Sequence, residues 1–235
     1  MGPDDAVRLE QVSKRFGPIP ALERADLSIP WGTFTLVAGA NGAGKSTLLR
    51  LIAGLSKPTA GKVLVAGDDP GRRVRVRRKV GLLSHQGLFY GDLSARQNLL
   101  FFAKLYGLEQ AEAQVEAALD QMGLLHRQDH RVATFSRGMK QRLALARAQL
   151  HRPEILLLDE PSTGLDRGSI QALEGLLHQL KDQGGTAMMV THRLDEAADL
   201  ADHLVLLRRG RVVHSDAWDG DLAQLEALYQ RETTP

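Results

Sequence analysis

Two absences narrow the possibilities for this chain: it has no cysteine and no long apolar run. Without cysteine, disulfides, thiolate chemistry and cysteine-based zinc sites are excluded. No apolar stretch approaches the about 20 residues that a membrane-spanning helix needs. The polar, acidic start Met1–Asp5 does not predict a signal peptide. These absences predict a soluble, cytoplasmic chain that would need a partner for any role at a membrane.

Neither positive nor negative charge is in large excess. The net charge is only +2, which is too small to indicate nucleic-acid binding by itself. With 43% hydrophobic residues, the 235 residues suffice for a sizeable core. We expect one domain over residues 1–235, with a subdomain inserted into it.

The stretch from position 39 to 47 fits the phosphate-loop (P-loop) pattern G-x-x-x-x-G-K-[ST] at every fixed position. Its residues are Gly39, Ala40, Asn41, Gly42, Ala43, Gly44, Lys45, Ser46 and Thr47. The β-rich segment Phe34–Ala38 before it predicts a buried strand, and Thr47–Ala53 after it predicts a helix. A glycine loop between a strand and a helix is the context in which this pattern holds phosphate groups.

Each residue type in the loop has a chemical task. Glycines let successive backbone N–H groups turn toward phosphate oxygens, and the helix N-terminus adds partial positive charge. Lys45 is predicted to reach the β- and γ-phosphates, and the Ser46 hydroxyl is predicted to bind Mg²⁺. The loop therefore predicts a nucleotide triphosphatase or kinase.

The segments before the P-loop predict a small antiparallel sheet. Val7–Val12 and Ala21–Ile29 alternate apolar and polar residues, and Lys14–Pro18 between them is typical of a turn. Phe16 is expected to be exposed there, where it either stacks on a purine ring or packs in the ordinary way. The basic segment Gly71–Lys79 suits either a solvated surface or an anionic partner, and its shortness favours the surface.

From position 87 to about 150 the pattern changes from strands to helices. Ser94 and Gln97 fit a capping box, which predicts a helix start. A second helix is predicted over Glu112–Met122, and a third over Arg137–Gln149. Later segments predict further strands, a short helix over Leu194–Leu200 and a terminal helix over Ala217–Thr234. The fold class is therefore α/β, with a parallel-rich P-loop core, an antiparallel β subdomain and an inserted helical subdomain.

Two carboxylates follow the apolar run Ile155–Leu158. Asp159 at the strand end is placed to hold Mg²⁺ beside Ser46. Glu160, one residue later, is placed to act as general base on an attacking water. Gln86 and His192 also follow predicted strands, so they are expected in the same crevice.

With these motifs together, the chain resembles the ATP-binding cassette (ABC) ATPases. The resemblance rests on six stretches in the family's order, which are Gly39–Thr47 (Walker A), Gln86 (Q-loop), Phe135–Arg142 (signature), Ile155–Glu160 (Walker B), Ser162–Asp166 (D-loop) and His192 (switch histidine). They extend over nearly the whole chain, which makes the resemblance specific.

The resemblance implies further roles. Phe16 would stack on adenine, Gln86 would sense the γ-phosphate and Mg²⁺, and His192 would hold the γ-phosphate. Ser136 and Gly138 would bind the ATP of a second subunit in a head-to-tail dimer. ATP and Mg²⁺ would be the cofactors, and integral membrane permeases the partners, at the cytoplasmic face of the cell membrane. No nucleic acid is expected.

The signature differs from the common L-S-G-G-Q, because Phe135, Arg137 and Met139 replace Leu, the first Gly and Gln. Arg137 either adds positive charge or points to solvent. Stretches around Gln86 and Ser136 are most similar to CcmA-type haem exporter ATPases, which implies haem export for cytochrome c maturation. Related ATPases for drugs, sodium or polysaccharide share parts of them.

Two other functions remain open from the sequence: an ABC ATPase acting on nucleic acid or ribosomes, and a P-loop kinase or switch. The absence of coiled coils and of a second cassette disfavours the first, and the signature stretch disfavours the second. Leu88, Phe89, Tyr90 and Leu93 form either a groove for a partner's helix or part of the core.

Overall fold

A computed structural model describes residues 5–84, 88–163, 165, 167–191 and 200–233. The nine described strands are β1 Asp5–Phe16, β2 Ile19–Pro30, β3 Phe34–Gly39, β4 Ala60–Val65, β5 Val80–Leu83, β6 Ile155–Asp159, β7 Thr186–Val190, β8 His203–Arg208 and β9 Arg211–Ala217. The seven described helices are α1 Lys45–Ile52, α2 Val74–Arg77, α3 Ala95–Tyr106, α4 Ala111–Gln121, α5 Arg137–Gln149, α6 Arg167–Asp182 and α7 Leu222–Thr233. In this part of the chain, no helix combines the length and apolar character that a membrane crossing requires.

The central sheet has six strands in the order β5-β6-β7-β3-β8-β9. All neighbours are parallel except β8 and β9, which form an antiparallel edge pair. Every residue of β3, β6 and β7 is buried, because helices or the second sheet cover both faces of these parallel strands. β3 and β6 therefore deliver the P-loop and the Asp159–Glu160 pair to the same edge of the sheet.

A second, three-stranded antiparallel sheet has the order β2-β1-β4 and confirms the predicted β subdomain. The predicted turn at Lys14–Pro18 was too long, because β1 continues to Phe16, which pairs with Ile19. Only Gly17 and Pro18 turn, and Gly17 supplies the positive φ, 58°, that this tight connection needs. Phe16 is 53% exposed at the end of the hairpin, as predicted.

The inserted helical subdomain consists of α3, α4 and α5. Its first helix begins with the predicted capping box, since the Ser94 side chain accepts from the Gln97 N–H and the Gln97 side chain accepts from the Ser94 N–H. Leu99, Leu119 and Leu143 are fully buried and belong to the same apolar cluster as Leu36 and Leu156 of the central sheet. The insertion therefore packs its apolar faces directly on the sheet.

Arg147 on α5 is buried at 7% exposure, although an arginine side chain is rarely buried so completely. Its guanidinium lies over the rings of Phe89 and Phe102, 5.5 and 5.1 Å from their centroids. One terminal nitrogen also donates to the Leu82 carbonyl at 3.3 Å. Stacking on two aromatic faces lets a guanidinium remain buried, which an ammonium group does less well.

The predicted helix over Ala217–Thr234 begins too early in the sequence. Ala217 ends β9, where it pairs with His203 of β8. The helix begins only at Leu222, because the Asp221 carboxylate accepts from the N–H groups of Ala223 and Gln224 and thereby caps the helix. The predicted helix over 194–200 lies outside the described residues, except for residue 200 itself.

The basic segment Gly71–Lys79 contains the short helix α2, in which Val74 and Arg75 are exposed and Val76 is buried. Arg72 forms an ion pair with Asp69, and Arg75 with Asp68. These acidic partners offset part of the positive charge, so the solvated surface is the better interpretation of the segment.

His151, just after α5, gives the fold a component of pH dependence. Its ring stacks on Tyr106, with centroids 3.9 Å apart, and Nε2 lies 3.2 Å from the Val80 carbonyl. Burial lowers the pKa of His151 below its ordinary value, and the hydrogen bond to Val80 only partly offsets this. Below about pH 6.5 the unfolded chain therefore takes up a proton that the folded chain resists, and stability falls as pH falls.

We expect His151→Gln to remove this component. As pH falls, the free energy of unfolding of the wild type should decrease by up to about 1.4 kcal/mol per pH unit. This limit applies where the unfolded state binds one more proton at this site than the folded state does. Urea unfolding at about pH 7.5 and about pH 5 should show a smaller loss of stability for the variant. His126→Gln, at an exposed histidine, is the matched control. An unchanged pH slope in His151→Gln would contradict the assignment.

Candidate active site

The P-loop connects β3 to α1 in a conformation that requires glycine. Gly39 has φ 153° and Gly44 has φ 107°, values that side chains rarely adopt. A Cβ at Gly44 would lie 2.5 Å from the Ala21 carbonyl oxygen, and one at Gly39 would collide with the Leu207 carbonyl oxygen. The loop is thus wedged between β2 and β8, which fixes its backbone for an anion at the start of α1.

Lys45 is the first residue of α1 and is 8% exposed. Its ammonium group donates to the carbonyls of Gly39 and Ala40 at 2.6 and 3.1 Å, and so spans the loop. Burial lowers the pKa of Lys45, while the nearby carboxylates of Glu160 and Asp159 partly counteract this shift. A positive group poised between the loop and two carboxylates suits the terminal phosphates of a nucleotide.

Ser46 and Asp159, the predicted metal-binding pair, are brought together from positions 113 residues apart. The Ser46 hydroxyl donates to the Asp159 carboxylate at 3.1 Å. Asp159 is buried at 6% exposure at the end of β6, beside β7. A hydroxyl and a carboxylate are the hard oxygen ligands that Mg²⁺ prefers, so these two residues fit that ion.

Glu160 leaves the strand in an unusual backbone conformation, with φ 52°. Its N–H donates to the Val190 carbonyl at 2.9 Å, and its own carbonyl accepts from the Thr163 N–H at 3.2 Å. The side chain is half-buried. A left-handed glutamate costs energy and is common at functional sites. The turn at Glu160 breaks the course of the strand directly after Asp159. The two neighbouring carboxylates can therefore have different tasks, at the metal for Asp159 and at the attacking water for Glu160.

The signature stretch starts α5. Ser136 is its N-cap, and the Ser136 hydroxyl oxygen accepts from the Met139 N–H at 3.2 Å. Ser136 and Arg137 are exposed. Arg137 and Lys140 line a cleft of about 520 Å³ that also reaches Glu160 and Phe89. Arg137 therefore both faces solvent and adds positive charge to a cleft bounded by the predicted base.

Gln86, His192 and, in the predicted D-loop stretch, Gly164 and Asp166 lie outside the described residues. The P-loop, Ser46, Asp159 and Glu160 are brought together as predicted. Phe16 lies on a hairpin whose β2 strand abuts the P-loop, since the Ala21 carbonyl contacts the position of a Cβ at Gly44. The Lys14 ammonium lies over the Phe16 ring, 5.0 Å from its centroid.

Sequence reasoning placed Gln141 in the signature stretch but assigned it no role; its side-chain amide donates to the Pro161 carbonyl at 2.9 Å. This bond joins the signature helix to the residue after Glu160. No local pattern indicates a contact between segments 20 residues apart. The only indication in the sequence was the polar side chain of Gln141 itself, one turn after the start of α5.

Comparisons with known proteins agree with this geometry. Residues 22–163 match the family model described as ABC transporter. The ABC transporter ATP-binding protein NatA of Bacillus subtilis strain 168 is 35% identical over 235 residues, covering 96% of this chain and 92% of the relative. The bacitracin transport ATP-binding protein BcrA of Bacillus licheniformis is 34% identical over 215 residues, covering 91% of this chain and 70% of the relative.

A solved ATP-binding cassette, a dimer in a post-hydrolysis state bound to ADP and Pi, superposes with a TM-score of 0.83. It is 28% identical, and the match covers 91% of this chain and 99% of that one. The fold and the loop define a P-loop ATPase of the α/β class. The chain belongs to the ABC transporter family, as an ATP-binding subunit.

Proposed function

We propose that this chain is the motor subunit of an ABC exporter, in which Mg-ATP binds at the P-loop and is hydrolysed with Glu160 as general base. The observation that carries the proposal is the hydrogen bond from Ser46 to Asp159, 3.1 Å long, with Lys45 and Glu160 beside it. It places the phosphate-binding loop and the two carboxylates at one sheet edge, where ligands of such sheets bind.

Each residue then has a distinct task. The backbone N–H groups of the loop and the Lys45 ammonium would hold the phosphates, and Ser46 and Asp159 would hold Mg²⁺. When bound, Mg²⁺ would neutralise charge on the terminal phosphates. Glu160 takes a proton from the water whose oxygen attacks the γ-phosphorus of ATP, while the bond from that phosphorus to the bridging oxygen breaks and ADP leaves. Gln86 as a γ-phosphate and metal sensor, and His192 as a γ-phosphate ligand, complete the proposed site.

Phe16 is proposed to stack on adenine, since its ring is 53% exposed at the end of a hairpin beside the P-loop. Phe16→Ala should weaken ATP binding by about 0.5–1.5 kcal/mol, roughly 2- to 12-fold, whereas Phe16→Tyr should preserve it. Titration with a fluorescent ATP analogue measures both variants. Ile19→Ala, at the exposed position paired with Phe16, is the control. Equal affinity in Phe16→Ala and wild type would remove the stacking role.

Two copies of the chain are proposed to meet head to tail on ATP binding. Ser136 and Gly138 would then touch the ATP held by the other copy, which suits their exposed or half-exposed position at the start of α5. The dimeric state of the superposed cassette supports this arrangement. We propose that residues 1–235 act as a single domain in it.

A surface of the helical subdomain is proposed to bind the membrane partner. Leu88, Tyr90, Phe101 and Leu105, here called the outer apolar patch, are 63%, 54%, 37% and 63% exposed. Tyr90 and Phe101 contact each other edge to face, with centroids 5.3 Å apart. Phe89 packs inward against Phe102, so the stretch after position 87 also supplies part of the core. An exposed apolar patch of this kind suits a permease helix at the cytoplasmic face.

Two kinds of cargo are proposed. Haem export for cytochrome c maturation is supported by the motif resemblance, and the names of the two relatives do not mention haem. BcrA is named for bacitracin transport, which favours export of a drug-like cargo as the alternative. A role on nucleic acid is not proposed, because acidic residues pair with part of the basic segment.

Recovery from membranes tests the proposal. A tagged chain should sediment with membranes and co-purify an integral membrane protein. Leu88→Asp with Leu105→Asp should abolish this, whereas Leu55→Asp, at a residue 61% exposed elsewhere, should not. Membrane recovery that survives the double substitution would contradict the docking surface. Salt-sensitive recovery with DNA or ribosomes instead of membranes would overturn the transporter assignment.

A further inference from the structure

A side chain of the signature helix is hydrogen-bonded to the turn that carries Glu160. Gln141 lies on α5, five residues after Ser136, or roughly 7.5 Å along the helix axis. Its amide nitrogen donates to the Pro161 carbonyl at 2.9 Å, and Pro161 directly follows Glu160. Gln141 is half-buried, which shields this bond from water and gives it a defined geometry.

The turn that Gln141 holds is the one that aims Glu160. The left-handed backbone of Glu160 is maintained by its neighbours: its N–H binds the Val190 carbonyl, and its carbonyl binds the Thr163 N–H. Pro161 has no N–H to donate, so its carbonyl is its one backbone hydrogen-bonding group. The bond to Gln141 uses that group, and a shift of α5 therefore pulls on the residue next to the base.

These contacts have a consequence in a head-to-tail dimer. Ser136 at the start of α5 touches the ATP of the other copy, whereas Glu160 acts on the ATP of its own chain. We infer that Gln141 is a positioning residue that couples the two ATP sites, by transmitting the docking of Ser136 at one site to the orientation of Glu160 at the other. The inference rests on the proposed function and identifies a contact through which the two ATP sites of the dimer would act cooperatively.

The size of the expected effect follows from the geometry of general-base catalysis. A displacement of about 1 Å at the reacting groups costs up to about 100-fold in rate. Without the bond, Glu160 should be aimed less well, and its aim should no longer depend on the other site. Hydrolysis should then be slower and also lose its cooperativity in ATP, while ATP binding at the P-loop remains.

Steady-state ATP hydrolysis by the full chain tests this, with ATP concentration varied in the presence of Mg²⁺. Two coupled sites allow a Hill coefficient approaching about 2 in the wild type. Gln141→Met keeps the length of the side chain but not the donor, and should reduce the Hill coefficient to about 1 and kcat by about 10- to 100-fold. Gln141→Lys restores a donor and should recover part of both. Gln149→Met, the same change at the other end of α5, is the control.

The outcomes separate this inference from the proposed function. If wild type is cooperative and Gln141→Met keeps its Hill coefficient, the coupling role is overturned, even if kcat falls. If Gln141→Met does not fold, Gln141→Ala is measured in its place and judged by the same coefficient. If the wild type neither hydrolyses ATP nor dimerises with ATP, the proposed function fails and the inference falls with it. A loss of cooperativity in Gln141→Met but not in Gln149→Met supports it.

Discussion

Glu160→Gln should lower the rate of ATP hydrolysis by roughly 10²- to 10⁴-fold, the usual contribution of a general base. The amide keeps the size and the hydrogen-bonding capacity of the carboxylate but does not accept the proton of the attacking water. The backbone bonds from Glu160 to Val190 and from Thr163 to Glu160 do not involve the side chain, so the turn should survive. Ser46, Asp159 and Lys45 remain to hold Mg-ATP.

The same variant should accumulate as an ATP-bound dimer, because hydrolysis is the step that would reopen the dimer. Size-exclusion chromatography with ATP and Mg²⁺ should show a shift to twice the mass of the single chain. Glu154→Gln is the matched control, since Glu154 precedes the same strand β6 but pairs with Lys79 at its opposite end. Hydrolysis at the wild-type rate in Glu160→Gln would remove Glu160 from its role.

Lys45→Ala should have the second large effect, on ATP affinity. A hydrogen bond to a charged group contributes about 1.5–3 kcal/mol, so the dissociation constant for ATP should rise roughly 10- to 150-fold. The change also removes the two bonds from the ammonium group to the carbonyls of Gly39 and Ala40, which loosens the loop. Isothermal titration with ATP and Mg²⁺ measures the affinity.

Arg50→Ala controls for the loss of a positive charge on the same helix, since Arg50 is exposed in the last turn of α1. It should leave ATP affinity near the wild-type value. Unchanged affinity in a folded Lys45→Ala variant would contradict the assignment of the loop. A loss of affinity that is equal in both variants would indicate a general electrostatic effect instead.

The sequence predicted those parts of the site whose residues lie close together along the chain. The P-loop has its glycines, lysine and serine within nine positions, so its pattern also fixes its conformation. The apolar run before Asp159 predicted a buried strand for a similar reason, because both faces of a central parallel strand are covered. The capping box of Ser94 and Gln97 is likewise complete within one helical turn.

Contacts between distant segments were not predictable from such patterns. Arg147 is an arginine, a residue type that is usually exposed, and the rings of Phe89 and Phe102 that stack against its buried guanidinium come from segments distant in the sequence. The bond from Gln141 to Pro161 depends on how the inserted helices pack on the sheet. The end of β9 at Ala217 was also missed, because pairing with His203 extends a strand that its own sequence does not favour.

Phosphate release from ATP by the purified chain tests the central claim most directly, when wild type, Glu160→Gln and Glu154→Gln are compared with and without Mg²⁺. The account predicts Mg²⁺-dependent hydrolysis in wild type and Glu154→Gln, and release reduced by roughly 10²- to 10⁴-fold in Glu160→Gln. Equal release from all three proteins, or release that does not depend on Mg²⁺, would contradict it.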